Sequence, residues 1–396
     1  MGNFNYQISE RVSLIASDSL WLEDAALQQL KTTAQLSGMQ QVVGLPDLHP
    51  GRGYPVGAAF FSTGRFYPAL VGNDIGCGMG LWQTNLLVKK LNLDKLEKKL
   101  GNIDDAIGDD EWSALTTLDA SLPVQMQTLQ TCLQAAGLES SHNRSLGTIG
   151  GGNHFAELQV IDTVSDHEVC EKMAIKTKHI QLLVHSGSRG LGQAILRSHV
   201  DSFGHSGLVD NSAAAAFYLR QHDAALQFAK LNRYLIALRI FNRLRCSGEA
   251  ILDAHHNTVS EAKIANQVGW LHRKGASPSD QGLLVLPGSR GDYSYLIEPI
   301  ASELSLNSVA HGAGRKWQRT DCKDRLIKLA SVQQLSRTAM GSRVICEDRA
   351  LIYEEAPQAY KNVDSVLDCL LGAGLARVIT RHKPILTYKT RGECCA

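Results

Sequence analysis

The chain has 396 residues, of which 44% are hydrophobic and 20% charged, a composition typical of globular proteins and not of disordered or fibrous ones. The 40 basic and 39 acidic side chains leave a formal net charge of +1, so a binding site for a polyanion has to be a local patch of positive charge. No apolar stretch reaches the roughly 20 residues of a membrane span, and the opening segment MGNFNYQISERV lacks the apolar core of a signal peptide.

The nine cysteines are odd in number and form no CxxC pair. Their scatter is not that of a disulfide framework or a zinc finger, and it favours a reducing compartment. We expect most of them to be small buried apolar side chains or incidental surface thiols. Cys394 and Cys395 are expected to form an exposed tail rather than a metal site. A cytoplasmic protein without membrane attachment is predicted.

Apolar spacing predicts the elements of the first half of the chain. A helix is expected over residues 24–36, followed by a short strand over 40–44 that leads into a loop rich in Pro and Gly. An amphipathic charged helix is expected over 86–100. Its basic run, LVKKLNLDKLEKKL, is more typical of a solvated face than of an RNA groove.

The second half of the chain repeats one pattern, in which apolar strands run into glycine-rich loops. One strand begins near residue 181 and another near 282, and the longest helical pattern, over 213–245, should pack against the core. Strands that deliver polar residues onto loops are typical of an enzyme scaffold. Although the length suggests two or three domains, we predict an α/β protein of mixed α+β type with a single large catalytic domain over residues 1–396.

Several of the fourteen histidines lie beside glycine-rich segments. A lone histidine is usually structural, but the recurrence of this context favours a binding site, because glycine lets the backbone approach a ligand closely. The segments are PDLH at 46–49, NDIGCG at 73–78, GGGNH at 150–154, VHSGSRG at 184–190, HHN at 255–257 and HGAGR at 311–315.

Asp, Cys and His together are donors that a divalent transition metal accepts. Asp74 lies three residues before Cys77, and because a thiolate can bridge two metals, this pair suggests a two-metal centre. The glycine clusters could cradle phosphate, with Arg189, Arg290 and Arg315 as donors, or could simply be tight turns. No GxxxxGK[ST], GxGxxG or GxSxG motif is present. The residues alone therefore indicate a metal-dependent enzyme that acts on phosphates.

These motifs resemble, in order, those of the RtcB family of RNA ligases, over residues from about 44 to 389. The runs that carry the resemblance are PDLHPGRGYPVG, VGNDIGCGMG, GTIGGGNHFAE, VHSGSRGLG, HHN, RKGA, PGSRG, HGAGR and AYKNVD. The resemblance implies an RtcB-type catalytic domain with its active site in a central cleft. It also implies a ligase that joins RNA 3′-phosphate or 2′,3′-cyclic phosphate ends to 5′-hydroxyl ends, using GTP and two Mn(II) ions.

The family's functional residues carry over onto the matching motifs. His311 of HGAGR resembles the histidine that becomes guanylylated, and Cys77 resembles a bridging metal ligand. The implied metal ligands are Asp74, Cys77, His154, His185 and His256, the last chosen over His255 because the family's ligand directly precedes Asn. The residues implied to hold the guanine nucleotide are Asn153, Glu157, Ser289, Ser294, His311 and Lys389.

Three departures from the family pattern stand out. PGSMG reads PGSRG, which places Arg290 where Met is common; the segment after RKGA reads SPSDQG; and AYKDVD reads AYKNVD, with Asn362 in place of a carboxylate. Since all proposed ligands and the nucleophile remain, we expect activity, in a divergent bacterial branch that serves RNA repair. We expect a monomer. The alternatives are a metal-dependent RNA end-processing phosphodiesterase and a non-catalytic RNA-binding relative, and ligation that requires His311 would exclude both.

Overall fold

The computed structural model describes residues 4–392, so Cys394 and Cys395 lie outside the described residues. Helices and strands are mixed along the chain, which confirms the predicted fold class. The strands are β1 Asn5–Ser9, β2 Val12–Ile15, β3 Met39–His49, β4 Val56–Ser62, β5 Arg65–Phe66, β6 Gly78–Leu87, β7 Phe155–Val164, β8 His179–Ser186, β9 Leu208–Val209, β10 Gly248–His255, β11 Asn257–Ile264, β12 Gln267–Lys274, β13 Ala276–Pro278, β14 Leu284–Pro287, β15 Ser294–Pro299, β16 Ser308–Ala310, β17 Arg343–Cys346 and β18 Ala376–Thr390. The α-helices are α1 Asp24–Thr33, α2 Leu93–Leu100, α3 Asp109–Leu118, α4 Leu122–Ala135, α5 His167–Lys172, α6 Gly190–Phe203, α7 Ala213–Leu244, α8 Arg319–Leu326, α9 Val332–Leu335, α10 Arg349–Glu354 and α11 Val363–Gly372.

Two large sheets organise these elements. The first has the strand order β1-β2-β3-β4-β12-β11, and the second β10-β6-β8-β7-β18-β15-β14, with β17 beside β18. Paired strands in these sheets are antiparallel except β2 with β3 and β17 with β18. His255 ends β10 in the second sheet and Asn257 begins β11 in the first. The chain therefore crosses between the sheets at the single residue His256.

Helix α7 packs on the second sheet, as its apolar pattern predicts. Leu235 and Ile236 of the helix share one apolar core with Leu182 and Val184 of β8. The helix begins where the Ser212 side chain accepts a hydrogen bond from the backbone of its first turn, a typical N-cap. It is buried on most of its circumference, so sheet packing stabilises a helix that spans 32 residues.

Two sequence predictions of local structure were wrong. The charged helix over 86–100 is shorter, because β6 continues to Leu87 in register with His179 of β8 and a 3-10 turn follows. Only α2 is helical there, and it starts after Asn92, whose side chain caps it. The strand over 40–44 is longer than predicted, since β3 runs to His49 and pairs with β4 at that residue. The segment PDLH is therefore part of a strand and not of a loop.

None of the helices in residues 4–392 is long and apolar enough to cross a membrane.

Candidate metal centre and nucleotide cleft

Four neighbouring strands of the second sheet each have a predicted metal ligand at the same end of the sheet. The strands follow the order β10-β6-β8-β7. Cys77 directly precedes β6, His154 directly precedes β7, His185 lies near the end of β8, and His256 follows β10. Because these neighbours are antiparallel and in register, residues far apart in sequence become adjacent at this end of the sheet. Asp74 lies in the loop before Cys77 and completes the group.

The donor atoms of these five side chains converge. Cys77 Sγ lies 3.1 Å from His185 Nε2 and 3.3 Å from His154 Nε2. His185 Nε2 is 3.3 Å from His256 Nε2, and His154 Nε2 is 2.8 Å from Asp74 Oδ2. Ligand atoms about 2.0–2.3 Å from one ion necessarily lie about 3–4 Å from each other. The atoms form two three-residue groups that share Cys77, the arrangement expected of a bridging thiolate between two ions.

The protonation of the cluster also suits a cation. Burial and the neighbouring histidines lower the pKa of His185 and of His256, so both imidazoles are neutral, which is the form that binds metals. Burial alone would raise the pKa of Asp74, but His154 beside it holds the value below its usual range. Burial, followed by Asp74, raises the pKa of the Cys77 thiol. Asp74 Oδ1 is buried and has no hydrogen-bond partner among the described residues. The cluster therefore has more free lone pairs than hydrogen-bond donors to satisfy them, which fits the binding of divalent metal ions.

A buried arginine of α7 holds the loops that carry the ligands. Arg233 Nη1 donates to the carbonyl oxygens of Gly76 and Ser186, each at 2.9 Å, and these residues neighbour Cys77 and His185 in sequence. The opposite side of its guanidinium forms a two-pronged ion pair with Asp253 of β10. One side chain thus ties three of the four ligand-bearing strands together.

His311, the predicted nucleophile, lies at the end of β16 beside the metal ligands. Its ring centroid is 4.7 Å from that of His256. Its backbone N–H and its Nδ1 both approach Asp47 Oδ2, at 3.0 Å and 2.5 Å. Because an ionised carboxylate only accepts hydrogen bonds, Nδ1 carries the proton and Nε2 keeps the free lone pair. Sequence reasoning noted the PDLH motif but assigned Asp47 no role; an acidic residue inside a buried strand was the available signal.

The space beside the His311 ring depends on a glycine. Gly275 has a backbone φ of +61°, and a Cβ there would lie 2.8 Å from His311 Cε1 and 2.5 Å from a methyl carbon of Val56. A larger residue would therefore strain the backbone and displace the imidazole. Gly275 belongs to the RKGA motif, so its recurrence in the family pattern has a steric explanation at this site.

A second buried carboxylate, Glu157 of β7, marks another part of the cleft. Thr387 Oγ1 donates to its Oε2 at 2.5 Å, and Gln159 Nε2 donates to its Oε1 at 2.8 Å. Burial raises the pKa of Glu157 to about 7, although these hydrogen bonds and the nearby Lys389 oppose the shift. Lys389 is itself buried and donates to the carbonyl oxygen of Gly152 at 2.8 Å. The cleft here offers an acceptor next to a cation.

The remaining residues predicted to hold the nucleotide have different positions. Asn153 and Ser289 line the same cleft as Glu157, Lys389 and His311. Ser294 of β15 does not line it: its buried hydroxyl accepts a hydrogen bond from Gln159 Nε2 at 3.0 Å. Since Gln159 also binds Glu157, Ser294 acts on the cleft through a second side chain.

Sequence reasoning missed Glu355, the buried carboxylate at the centre of a charged network that includes Lys389. Glu355 accepts hydrogen bonds from Arg319 Nη1 at 2.5 Å, Arg315 Nη1 at 3.2 Å and the Tyr360 hydroxyl at 2.5 Å, and Lys389 Nζ lies 3.6 Å away. Burial alone would raise the pKa of Glu355, but the surrounding cations hold it well below its usual range. The pair of glutamates at the end of α10 gave no signal, because a surface helix end commonly carries such residues.

One of the three departures from the family pattern has a structural explanation, and a second lies beside the strand that leads to His311. Asn362 is the N-cap of α11, where its side chain accepts from Asp364 N at 2.7 Å, and Asn serves as well as Asp at that position. The segment SPSDQG begins within β13, which pairs with β16 and so supports the strand that leads to His311. Neither departure removes a donor from the cleft.

The five predicted metal ligands, His311, Glu157, Lys389 and Glu355 all line one cleft of about 1340 Å³, which is larger than the usual pocket for a small ligand alone. It combines a donor cluster suited to two metal ions with a histidine oriented by a buried carboxylate. These are the features of a metal-dependent enzyme with a nitrogen nucleophile.

Comparison with known proteins identifies the family. The family model described as tRNA-splicing ligase RtcB matches residues 29–133 and 124–390. The chain is 55% identical to the RNA-splicing ligase RtcB2 of Escherichia coli strain ATCC 25922, over 99% of both chains. It is 29% identical to the tRNA-splicing ligase RtcB of Nanoarchaeum equitans, covering 96% of this chain and 95% of the relative. The RNA-splicing ligase RtcB of Escherichia coli K12 is 28% identical, covering 87% and 90%.

The chain therefore belongs to the RtcB family, and it is an RNA ligase. This confirms the resemblance seen in the motifs, and it leaves the alternative of a non-catalytic RNA-binding relative without support.

Proposed function

We propose that this protein is a GTP- and Mn(II)-dependent ligase that joins RNA 3′-phosphate or 2′,3′-cyclic phosphate ends to 5′-hydroxyl ends through a guanylylated histidine. The observation that carries the proposal is the pairing of His311 with Asp47 beside the metal ligand His256. We also propose that residues 1–396 act as a single catalytic domain, as a monomer in the cytoplasm, in RNA repair or a tRNA-splicing type of ligation.

The first chemical step uses the free lone pair of His311. Nε2 attacks the α-phosphorus of GTP, the bond from that phosphorus to the bridging oxygen breaks, and pyrophosphate leaves with its electron pair. The positive charge that develops on the ring is balanced by Asp47, which already accepts a hydrogen bond from Nδ1–H. Asp47 therefore fixes the tautomer, orients the ring and stabilises the charged form, as a carboxylate does for a catalytic histidine elsewhere.

Two Mn(II) ions would be held by the five converging side chains, with Cys77 common to both. When bound, they would neutralise charge on the phosphate groups during displacement. Mixed thiolate, imidazole and carboxylate donors suit a divalent transition metal better than Ca(II) or Mg(II), which prefer oxygen ligands alone.

The guanine nucleotide would lie between His311 and the buried pair Glu157 and Lys389. An ionised Glu157 accepts hydrogen bonds from donors on the guanine base, and Lys389 donates to an acceptor on the same base. Asn153 and Ser289 line the space between, with Ser294 supporting Glu157 through Gln159.

The second and third steps use the RNA ends. The RNA 3′-phosphate takes GMP from His311, which regenerates the imidazole, and the 5′-hydroxyl oxygen then attacks that phosphate and displaces GMP. A 2′,3′-cyclic phosphate must first be opened by water. Basic side chains that line the cleft are placed to bind the RNA backbone, and they are Arg52, Arg144, Arg189, Lys274 and Lys316.

The test is incubation of the holoenzyme with GTP radiolabelled at the α-phosphate plus Mn(II), followed by denaturing electrophoresis. We expect an acid-labile label that requires Mn(II) and is absent from His311→Ala. Asp47→Asn should retain the nucleophile but label much more slowly, because the ring is no longer held in the correct tautomer. His167→Ala, an exposed histidine at the start of α5, is the matched control and should label normally.

An unlabelled wild-type protein that demonstrably holds metal would contradict the proposed mechanism. Metal-dependent opening of a 2′,3′-cyclic phosphate by that protein, without ligation, would instead support the end-processing phosphodiesterase.

A further inference from the structure

Arg290 is the third departure from the family pattern, and the contacts of its guanidinium are incomplete. The residue is 6% exposed and lines the cleft. Its Nη2 donates to the carbonyl oxygen of Ile352 in α10 at 2.8 Å. Its Nε and Nη1 are buried and have no hydrogen-bond partner within residues 4–392. Buried donors of a charged group are costly to leave unpaired, so these two nitrogens point to a ligand.

Glu355, a carboxylate whose charge acts on Arg290, cannot meet that need. Arg290 lies in the electrostatic field of Glu355, but Glu355 is already bound by Arg315, Arg319 and Tyr360. Lys389 also lies near Glu355, at 3.6 Å. Four cationic side chains thus surround one buried carboxylate, and the surplus positive charge favours an electron-rich group in the cleft.

The neighbours of Arg290 favour the base of a nucleotide over its α-phosphate. The α-phosphate has to reach His311, which lies between Asp47 and the metal ligand His256. Arg290 donates a hydrogen bond to α10, and its charge acts on Lys389. Lys389 in turn acts on Glu157. Guanine presents donors at N1 and N2 and acceptors at O6 and N7. An acceptor at Glu157 and cations beside it match the two kinds of group on that base.

We propose that Arg290 is a specificity-determining residue that donates to the acceptor edge of the guanine base, O6 and N7. The inference rests on the proposed use of a guanine nucleotide. It assigns a function to the charge that replaces Met in this chain, and it replaces the phosphate contact that the sequence alone suggested for Arg290. The lining position, the burial and the two unpaired nitrogens carry the assignment.

The test is calorimetric titration of the Mn(II)-loaded protein with GMP, 7-deaza-GMP, 2-aminopurine riboside 5′-monophosphate and ribose 5-phosphate. The second ligand lacks N7, the third lacks O6 together with the N1 proton that Glu157 would accept, and the fourth lacks the base. We expect the wild type to bind at least one of the two base analogues about tenfold more weakly than GMP. Arg290→Met should bind GMP about tenfold more weakly and discriminate less against that analogue than the wild type does, while its affinity for ribose 5-phosphate stays unchanged.

Three outcomes would overturn the inference. The first is equal affinity of the wild type for GMP and both analogues, a measurement that needs no variant to fold. The second is unchanged GMP binding by Arg290→Met. The third is an equal loss of affinity for ribose 5-phosphate, which would place the contact on the phosphate.

Controls separate these outcomes from structural damage and from failure of the proposed function. Arg343→Met removes an arginine that joins β17 to Asp94 and Glu97 away from the cleft, and it should leave every affinity unchanged. Thermal unfolding of Arg290→Met and Arg290→Lys reports the loss of the α10 contact. A wild type that binds metal but no GMP would contradict the guanine site itself, and the inference would fall with it.

Discussion

Asp47 and Glu157 are both buried carboxylates in the same cleft, and their surroundings give them different tasks. Asp47 receives the backbone and ring N–H groups of His311 on a single oxygen. Glu157 receives only side-chain donors, from Thr387 and Gln159, and burial raises its pKa to about 7. Asp47 is suited to orient a nucleophile, and Glu157 is suited to bind a ligand with an affinity that depends on pH.

The raised pKa of Glu157 predicts how nucleotide binding depends on pH. Only the ionised carboxylate accepts from both donors of guanine, so GMP affinity should rise with pH and level off above about pH 8. Below pH 7 the ionised fraction, and with it the affinity, should fall by about tenfold per pH unit. Lys389 is the cation that acts on Glu157. Burial lowers the pKa of Lys389, but its ammonium group is a donor, so the acceptor that titrates is Glu157. Calorimetry of GMP binding between pH 5 and 9 measures the profile.

Glu157→Gln provides the comparison for that profile, because an amide does not titrate. Its affinity for GMP should be lower and nearly independent of pH over the same range. A wild-type profile that is equally flat would contradict the role of Glu157 as a titrating acceptor.

At the scale of elements, α7 contributes stability and site geometry through one side chain. Arg233→Met should lower the free energy of unfolding by about 3–5 kcal/mol, because it removes a fully buried guanidinium and leaves the partly buried Asp253 without its partner and two loop carbonyls without a donor. Chemical denaturation followed by circular dichroism measures this loss. Mn(II) affinity should fall as well, since the carbonyls belong to the loops that carry Cys77 and His185.

Arg243→Met is the matched control on the same helix. Its guanidinium is more exposed and lies 3.4 Å from Glu111, which already pairs with Arg239. Exposed pairs of this kind contribute about 0–1 kcal/mol. An equal loss of stability in both variants would show that the buried contacts of Arg233 contribute no more to stability than the exposed contact of Arg243.

The elements also show where sequence reasoning succeeds. Helix α7 and strand β8 were predicted well, because long apolar patterns depend mainly on the packing that they themselves create. The helix over 86–100 was not, since the register of β6 with β8 extends the strand to Leu87, and that pairing is invisible in the local pattern. The same limit applies to Asp47 and Glu355, whose partners are distant in sequence. The motifs nevertheless brought the five metal-ligand candidates to attention, because most of them keep the donor close to glycine and His256 belongs to the HHN motif.

At the scale of the whole molecule, a formal charge of +1 has to be reconciled with an RNA substrate. The basic residues of the cleft supply a local positive field, so RNA binding should weaken with salt. If about four phosphates are contacted, affinity for a single-stranded RNA should fall by about 50-fold between about 50 and 200 mM salt. Fluorescence anisotropy with a labelled RNA that carries a 3′-phosphate measures this dependence.

The lysines of α2 serve as the control for that experiment. Lys98 is exposed and lies outside the cleft, so Lys98→Gln should leave both the affinity and its salt dependence unchanged. Arg144→Gln, within the cleft, should weaken binding and make the slope shallower. A slope that is flat in the wild type would contradict a local-patch mechanism.

The crossing at His256 has a consequence for how the protein is made. The two groups of candidate metal ligands draw on residues from Asp74 to His256, the proposed nucleophile follows at His311, and Lys389 lies on β18. Pairings over such long separations form late and slowly during folding. A chain emerging from the ribosome therefore holds no complete candidate site until it has been synthesised through Lys389. Under the proposed function, ligation of RNA ends is confined to chains that have passed that point.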